Sequence, residues 1–367
     1  MKRVLLASAI SAAIAAPTVA IAQHHNHNTN QNQIYGKVNV SVDRTEFPAV
    51  SDNWQLNSNK TFFGLRGHAD LDFAGLRGIY QLELGINPTR NPTMTNTMGE
   101  DRTSGGNTLT SRNSFIGLQG QFGTVMAGTF DTPLRDLGRR VDQFDDMQFA
   151  DIFNLVAGEW RAEQIVQYST PQIADMITVN IATVASDRND VNDTTRENTG
   201  LFDSYSVSAL LEHNNFYAGI GFDHNNFGAT GQNGTYLSNT FTANAFAAPA
   251  SLDIVRAVAG IDLEVIEVGV MLQQAETRQR QAEIGNRKEK EQSFLVSGAI
   301  PLGLITLKAQ YGETDTDIAS DAKVRHYTVG ADYALGKQTK TYVYGTQRST
   351  DGDRDYGVVG IGAEHRF

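Results

Sequence analysis

Between residues 34 and 367, short segments of the chain alternate apolar and polar positions. In residues 305–312 one set of alternate positions carries Ile, Leu, Ala and Tyr, and the other carries Thr, Lys, Gln and Gly. Residues 204–212 and 326–335 alternate in the same way. A period of two is typical of β-strands with two different faces. Because the polar faces contain Lys, Asp, Glu and His, the pattern favours a wall that is apolar outside and wet inside.

The connectors between these segments alternate between very short and long. The short connectors are residues 72–75, 120–123, 171–175, 212–215, 263–265, 301–304 and 336–338. The long, polar connectors are residues 45–59, 87–107, 131–160, 186–200, 226–250, 277–290, 314–324 and 349–355. Short turns at one end and long loops at the other are typical of an up-and-down barrel in an outer membrane. A soluble β-sandwich would not sort its loops in this way.

This division predicts about sixteen strands. They begin near residues 34, 60, 76, 108, 123, 161, 176, 201, 216, 251, 265, 291, 305, 325, 339 and 356. The strands near 123 and 265 are the weakest, so 14 and 18 strands stay open as alternatives. About sixteen strands enclose an aqueous channel. We predict an all-β fold, a single transmembrane antiparallel up-and-down β-barrel domain over residues 34–367.

Proline placement agrees with this division, because proline is excluded from strands that are hydrogen-bonded on both sides. The prolines predicted to lie in connectors are Pro48, Pro88, Pro92, Pro133, Pro171, Pro249 and Pro301.

The first residues indicate export. Two basic residues, an apolar stretch and a small-residue site precede Gln23, as in a cleaved secretory signal. The apolar stretch is shorter than a membrane-spanning helix, which disfavours an N-terminal anchor. We predict a signal peptide at residues 1–22 and a mobile N-terminal tail at residues 23–33. The tail contains three histidines, which we interpret as solvated rather than metal-bound: His24, His25 and His27.

Composition excludes several other classes of protein. The chain has no cysteine, which removes disulfides and thiol chemistry, and we predict no metal and no cofactor. The mean hydropathy of −0.33 suits a barrel, because only every second strand residue meets lipid. The formal net charge of −11 argues against a nucleic-acid partner, since phosphate binding needs a basic surface.

The end of the chain is the most recognisable segment. Residues 356–367 alternate and finish on Phe367, with Glu364 and Arg366 on the face opposite to it. This segment resembles the C-terminal strand by which the barrel-assembly machinery recognises outer-membrane proteins. The resemblance implies that Phe367 is an assembly signal.

Other segments resemble a Gram-negative general porin. They are residues 34–38, 63–67, 75–84, 111–118, 122–128, 131–134 and 168–171. The resemblance is dense over residues 34–175 and thins to the strand pattern afterwards. It implies a homotrimer in the cell outer membrane of a Gram-negative bacterium, with outer-membrane lipid and lipopolysaccharide as partners. Residues 87–107 are a candidate contact between subunits.

In the porins that this chain resembles, the third loop, residues 131–160 here, folds into the barrel and narrows the channel. The acids of this loop are Asp142, Asp145, Asp146, Asp151 and Glu159. The loop also has large apolar residues, which an exposed loop would not need: Phe144, Phe149, Ile152, Phe153 and Leu155. An exposed loop with helical character is the alternative.

Basic residues on the wall are expected opposite the third loop. The resemblance implies this role for Arg112 and Arg161, and Arg66 occupies a position that is commonly basic. Alternation places Arg77 on the lumen face as well. Carboxylates facing arginines across a narrow channel set a transverse field that acts on passing solutes.

Two positions depart from the porin pattern. Phe62 stands where the second strand commonly has Arg, and Thr129 follows Gly128 where a basic residue is common. Both changes remove positive charge from the wall, while the third loop keeps its acids. We therefore expect a channel for small hydrophilic solutes and ions with a weak-to-moderate preference for cations.

Two other functions are alternatives. A solute-specific channel for a sugar or an anion is disfavoured, because we find no aromatic series on lumen-facing positions and no lysine cluster in the third loop. A barrel hydrolase needs a positioned histidine. Its best candidate, His224 after Asp223, is weak because neighbouring strand residues point to opposite faces. We expect no enzyme activity.

A last acidic pattern lies in a predicted external loop, where Asp351, Asp353 and Asp355 are two residues apart. The glycine and the distant glutamate of an EF-hand loop are missing. We interpret the segment as a solvated loop, and divalent-ion bridging to lipopolysaccharide is the alternative.

Overall fold

The structure is a computed structural model that describes residues 31–46, 53–89, 109–185, 202–226, 252–277, 290–316, 322–351 and 355–367. The predicted signal peptide, the histidines of the predicted tail and most of the long external loops lie outside these residues. Among the described residues, no helix is long and apolar enough to cross a membrane.

The described residues form eighteen strand segments, numbered here in chain order. They are β1 (Gln31–Glu46), β2 (Asn53–Ser58), β3 (Phe62–Asp70), β4 (Arg77–Ile86), β5 (Leu109–Ser111), β6 (Ser114–Gly120), β7 (Gly123–Asp131), β8 (Arg161–Ser169), β9 (Ile177–Val184), β10 (Tyr205–His213), β11 (Phe216–Asn226), β12 (Leu252–Leu263), β13 (Ile266–Thr277), β14 (Lys290–Leu302), β15 (Ile305–Thr316), β16 (Ala322–Ala334), β17 (Thr339–Thr350) and β18 (Tyr356–Arg366). Helix α1 (Pro133–Arg139) and a 3-10 helix (Ile152–Asn154) lie between β7 and β8.

The segments form one antiparallel sheet that closes into a barrel. Closure occurs where β1 pairs with β18. β2 and β3 both pair with β1 and are one interrupted strand, and β5 and β6 both pair with β4 in the same way. The described segments therefore make sixteen strands, the predicted number. β7 and β13, the two weakest predictions, are among them.

Some predicted boundaries are wrong. The connector placed at residues 45–59 is much shorter, because β1 continues to Glu46 and β2 begins at Asn53. The sequence predicts a connector at Pro301, but this residue lies in β14. It is tolerated there because it lies next to the turn, where the pairing of β14 with β13 has ended at Ala299 and only the pairing with β15 continues.

Side chains alternate across the wall as the sequence predicts. In β10, Ser206 and Ser208 are buried inside the barrel, whereas Tyr205 and Val207 lie on the outward face. The outward Val359 of β18 is 68% exposed. Large apolar side chains with this exposure indicate that lipid surrounds the wall.

The two largest buried apolar clusters of the described residues lie inside the barrel, between the third loop and the wall. One cluster comprises Leu137, Val141, Ile152, Leu155 and Val156 of the loop with Tyr217, Val258, Met271, Leu295 and Val324 of the wall. A second comprises Phe144, Met147, Phe149 and Ala150 with Tyr342, Tyr344, Tyr356 and Val358. The loop is therefore folded into the lumen as predicted, and the alternative of an exposed loop is wrong.

Candidate functional site

The third loop approaches the wall closely because lumen-facing glycines leave room for it. A Cβ at Gly312 of β15 would overlap Leu155 Cδ2, and a Cβ at Gly219 of β11 would lie 2.7 Å from Leu137 Cδ2. Larger residues at these wall positions would push the loop away. The glycines therefore help to set how far the loop extends into the lumen.

Two wall lysines hold the tip of the loop. The buried Lys37 of β1 donates a hydrogen bond through Nζ to Asp146 Oδ2. Lys60 stands at the break between β2 and β3, where its φ is 53°. Its Nζ lies 2.9 Å from Asp151 and 3.5 Å from Asp146. Although burial favours the neutral acid, Lys37 and Lys60 hold the pKa of Asp146 well below its usual range.

Sequence reasoning missed both lysines as site residues. Lys37 had a usable signal, since alternation turns it inward between the outward Ile34 and Val38. Lys60 has no such signal, because it follows directly after the predicted connector at residues 45–59.

Arg112 lies on the wall facing the lumen, as expected, but its carboxylate partner is another wall residue. Its Nε donates to Glu83 Oε1 at 2.6 Å, and its guanidinium lies 5.0 Å from the centre of the Phe62 ring. Phe62 therefore supports Arg112 by stacking.

A group of arginines surrounds Asp131 at the end of β7. Arg139 and Arg161 each lie 3.0 Å from a carboxylate oxygen of Asp131, and Arg135 lies 3.4 Å away. Arg139 also contacts Asp145 at 2.9 Å. Arg161 therefore pairs with the start of the third loop instead of its tip.

Arg256 of β12 holds the end of the third loop against the wall. Its guanidinium is fully buried and donates to Glu159 Oε1 at 2.6 Å, to Ala157 O at 2.8 Å and to Leu134 O at 3.2 Å. Sequence reasoning missed Arg256. The only signal was a basic residue at an inward position of an otherwise apolar strand face.

Asp142 organises the loop backbone. Its carboxylate accepts hydrogen bonds from Phe144 N at 2.8 Å and Ile152 N at 3.0 Å. Burial raises the pKa of Asp142 well above its usual range, and Asp151 and Asp145 raise it further. Carboxylate oxygens of Asp142, Asp145 and Asp151 lie within 4.8 Å of one another. Lys60 and Arg139 already pair with the latter two.

Arg66 and Arg77 lie away from the third loop, toward the end of the barrel with short turns. Arg77 pairs with Asp70 at 3.0 Å. Arg66 donates to Gln33 at 3.0 Å and stacks on the Tyr35 ring at 4.7 Å. Within the described part of the chain, no ion pair joins either arginine to an acid of the loop.

Thr129 does not affect the charge of the lumen wall. The exposed Val125 and Ala127 of β7 face outward, and Thr129 continues their face. The predicted loss of wall charge at this position is therefore wrong. Lys37 and Lys60 supply positive charge near Phe62, which weakens the argument made from that position too.

Lumen-facing aromatic residues are present, contrary to the sequence analysis. Tyr342, Tyr344 and Tyr356 point inward and are buried, since Met147 and Phe149 of the third loop pack on them. They support the loop and do not form an open aromatic surface.

Asp223 and His224 point to opposite faces of β11, as expected. Asp223 is buried inside the barrel. His224 stacks on Tyr205 with ring centres 4.7 Å apart, and its Nδ1 lies 3.1 Å from Asp253. The two residues therefore do not form one site.

Comparison with known proteins decides the family. The model of the Gram-negative porin family matches residues 7–353. The chain belongs to this family. Its relatives include the major outer membrane protein P.IB of Neisseria gonorrhoeae, 24% identical over 76% of this chain and 75% of the relative. P.IB of Neisseria meningitidis serogroup B is 23% identical over 91% of this chain and 93% of the relative. The porin is therefore an outer-membrane protein and not an enzyme.

Solved structures share the fold of this porin. An anion-selective porin from Comamonas acidovorans gives a TM-score of 0.69 at 18% identity, covering 92% of this chain and 100% of the other. OmpT of Vibrio cholerae gives 0.65 at 13% identity, covering 94% and 100%. Salmonella typhi OmpF, in complex with daunomycin, gives 0.64 at 15% identity, covering 92% and 98%.

Proposed function

We propose that this porin forms a water-filled channel for passive diffusion of small hydrophilic solutes and ions. The main support is the position of the third loop, which packs on the inward faces of β11 to β18. Polar lumen-facing residues on the other side keep solvent exposure, among them Arg66, Gln81 and Gln119. Water therefore has a polar path beside the loop.

Single-channel recording in planar bilayers tests this proposal. We expect stable conductance steps in KCl, and we expect small polymers that enter the channel to reduce them. Polymers too large to enter serve as the control. A purified barrel that inserts without conductance steps would contradict an open channel.

We propose that ion selectivity is weak and favours cations. The net charge of −11 supports the sign. Asp146 pairs with Lys37, and Glu159 pairs with Arg256. These pairs support a weak selectivity, since the fields of paired charges largely cancel at a distance. Reversal potentials in a KCl gradient measure the preference. A potential of the anion-selective sign would refute it, and the comparison with the Comamonas porin makes that outcome informative.

A channel with affinity for anionic solutes is the second candidate. Its support is that Arg135, Arg139 and Arg161 converge on Asp131 at the start of the third loop, although Arg135 also pairs with Glu159 and Arg139 with Asp145. Concentration-dependent block of the current by one small anion, without block by a neutral solute of the same size, would support this function over a general channel.

We propose that the porin is a homotrimer inserted by the barrel-assembly machinery and surrounded by lipopolysaccharide. One of the related folds, OmpT of Vibrio cholerae, was solved in a trimer form. The predicted signal residue Phe367 exchanges backbone hydrogen bonds with Gly36 at 3.0 and 3.1 Å, which ties the end of the chain to its first strand. The mass of the detergent-solubilised protein by light scattering tests the trimer, and a monomer mass would contradict it.

A further inference from the structure

Glu291, the second residue of β14, is a buried acid without a partner in the described part of the chain. It shares the inward face of Ser293 and Leu295, and it is 0% exposed. Neither of its carboxylate oxygens takes part in a hydrogen bond. Buried polar side chains are almost always paired. Asp146 and Glu159 are also buried between the third loop and the wall, but each of them pairs with a cation.

The surroundings of Glu291 are apolar. Ala275 of β13 lies directly opposite it in the sheet. Ala275 packs in a buried cluster that joins both ends of the third loop to the wall, formed by Leu134, Ala157, Leu252, Ile254 and Ala275. The backbone N–H of Ala157 favours a charge on the Glu291 carboxyl, but it lacks the geometry of a hydrogen bond. Glu291 therefore lies where the ends of the third loop meet the wall.

The charged groups on the neighbouring elements do not compensate a charge on Glu291. Glu159 of the third loop lies 2.6 Å from Arg256 of β12 and 3.7 Å from Arg135 of α1. Alternation turns the charges at this level of β13, β14 and β15 to the outer face, where they form ion pairs with one another or with β16. These pairs are Glu276 with Lys290 and Asp315 with Lys323. None of these charges acts on the Glu291 carboxyl.

The position of Glu291 links its protonation to the docking of the loop. A charged carboxylate without a partner is costly in apolar surroundings, so the docked loop suits the protonated acid. A glutamate that water can reach ionises at about pH 4.3. If the loop ends move off the wall, water reaches Glu291 and its proton can leave. Because the docked state then binds a proton that the undocked state releases, a rise in pH weakens docking.

We propose that Glu291 is a pH-dependent latch for the third loop. When Glu291 is protonated, both ends of the loop dock on β12 to β14, and when it ionises, these ends loosen. Arg256 still holds Glu159 and Ala157 O, so the loop stays inside the barrel. This regulation goes beyond the proposed diffusion channel, and only its effect on the current rests on that function.

Hydrogen exchange of residues 155–159 in the detergent-solubilised barrel tests the latch at about pH 6 and about pH 9. After correction for the intrinsic pH dependence of amide exchange, we expect the wild type to open about tenfold more at the higher pH, as for one unit of difference in proton affinity. Glu291→Gln keeps the shape but cannot ionise, so its opening should not change with pH.

Two further variants separate ionisation from packing. Glu291→Asp can still ionise and should keep the pH dependence. Glu264→Gln is the matched control, because Glu264 is exposed in the turn between β12 and β13. Its opening should follow the wild type at both pH values.

Equal pH dependence in Glu291→Gln and in the wild type would overturn the proposal. Exchange in the wild type that does not change with pH would also overturn it, since the acid would then have a partner that accepts its charge. The open-channel current in planar bilayers is the second readout, and its noise should rise with pH in the wild type but not in Glu291→Gln. Since exchange is measured without any current, a failed latch remains distinguishable from a failed channel.

Discussion

Lys37 illustrates how single residues determine the shape of the channel. It is 1% exposed and pairs with Asp146 from β1, the strand next to β18, on which the loop tip packs. Lys60 adds a second positive charge to the same acid. Buried ion pairs of this kind add little stability over apolar packing, but breaking one leaves an uncompensated charge at a cost of about 3 to 5 kcal/mol. The charges near the loop tip therefore serve mainly to hold the loop against the wall.

Replacing Asp146→Asn should loosen the tip of the third loop, because Lys37 loses its charged partner. We expect a cost of about 3 kcal/mol to loop attachment, seen as faster hydrogen exchange in residues 144–152. Asp145→Asn is the control. Its partner Arg139 and its own side chain are partly exposed, so the expected cost is within about 1 kcal/mol. Equal exchange in the two variants would contradict this account.

Arg256→Met should weaken the other end of the loop. The variant leaves Glu159 with Arg135, 3.7 Å away, removes the Arg256 donor to Leu134 O and leaves Ala157 O with Gln273 Nε2 as its donor. We expect a loss of about 3 kcal/mol or more, measured as a lower thermal unfolding temperature and a noisier open-channel current. Arg66→Met is the control, because Arg66 lies on the lumen face but away from the loop. In this variant the unfolding temperature and the current noise should stay near their wild-type values.

At the scale of elements, the third loop has its own start signals. Thr132 caps α1 by accepting from Arg135 N at 3.3 Å, with Pro133 in the first turn. Asp151 caps the 3-10 helix by accepting from Phe153 N at 2.8 Å. Such caps give the loop a defined backbone. Its position in the lumen, however, depends on the glycines and apolar residues of the wall.

Gly312→Val should displace the loop, because the added side chain needs the space of Leu155. Overpacking of this kind costs about 1 to 3 kcal/mol, and we expect a changed single-channel conductance with a lower unfolding temperature. Ala309→Val is the control, since Ala309 faces lipid on the same strand. An unaltered conductance for Gly312→Val would show that the loop adapts.

At the scale of the molecule, the barrel reverses the usual arrangement of polarity. Its wall is apolar outside, and the two largest buried apolar clusters of the described residues lie between the third loop and one side of the lumen. The loop therefore serves as the core of the barrel. The same contacts confine the water path to the other side, where the exposed polar residues lie.

Closure of the barrel gives a prediction that separates assembly from stability. Phe367→Ser should reduce the yield of outer-membrane protein severalfold if the terminal residue is an assembly signal. The backbone bonds to Gly36 do not depend on the ring, so assembled protein should lose only about 1 kcal/mol. Phe216→Ser is the matched control, because the Phe216 side chain is 45% exposed and that of Phe367 is 44% exposed. Equal yields of the two variants would contradict the signal.

The sequence by itself determined the wall. Period-two alternation is a local property. The sixteen strands, their inward faces and the sorting of connectors could therefore be predicted from the sequence. The apolar content of residues 131–160 was also evident there. Local reasoning erred at boundaries, as at Pro301, and also on the lumen face, where it found no aromatic residues although Tyr342, Tyr344 and Tyr356 point inward.

Tertiary structure alone decided which charges meet in the lumen. Lys37 and Asp146 are 109 positions apart, and Glu159 and Arg256 are 97 apart. Their pairing depends on where the loop comes to rest, which the wall glycines and apolar side chains determine together. An acid in the sequence has the same charge whether it faces the channel or a buried lysine. Only the position of its partner across the barrel decides its role.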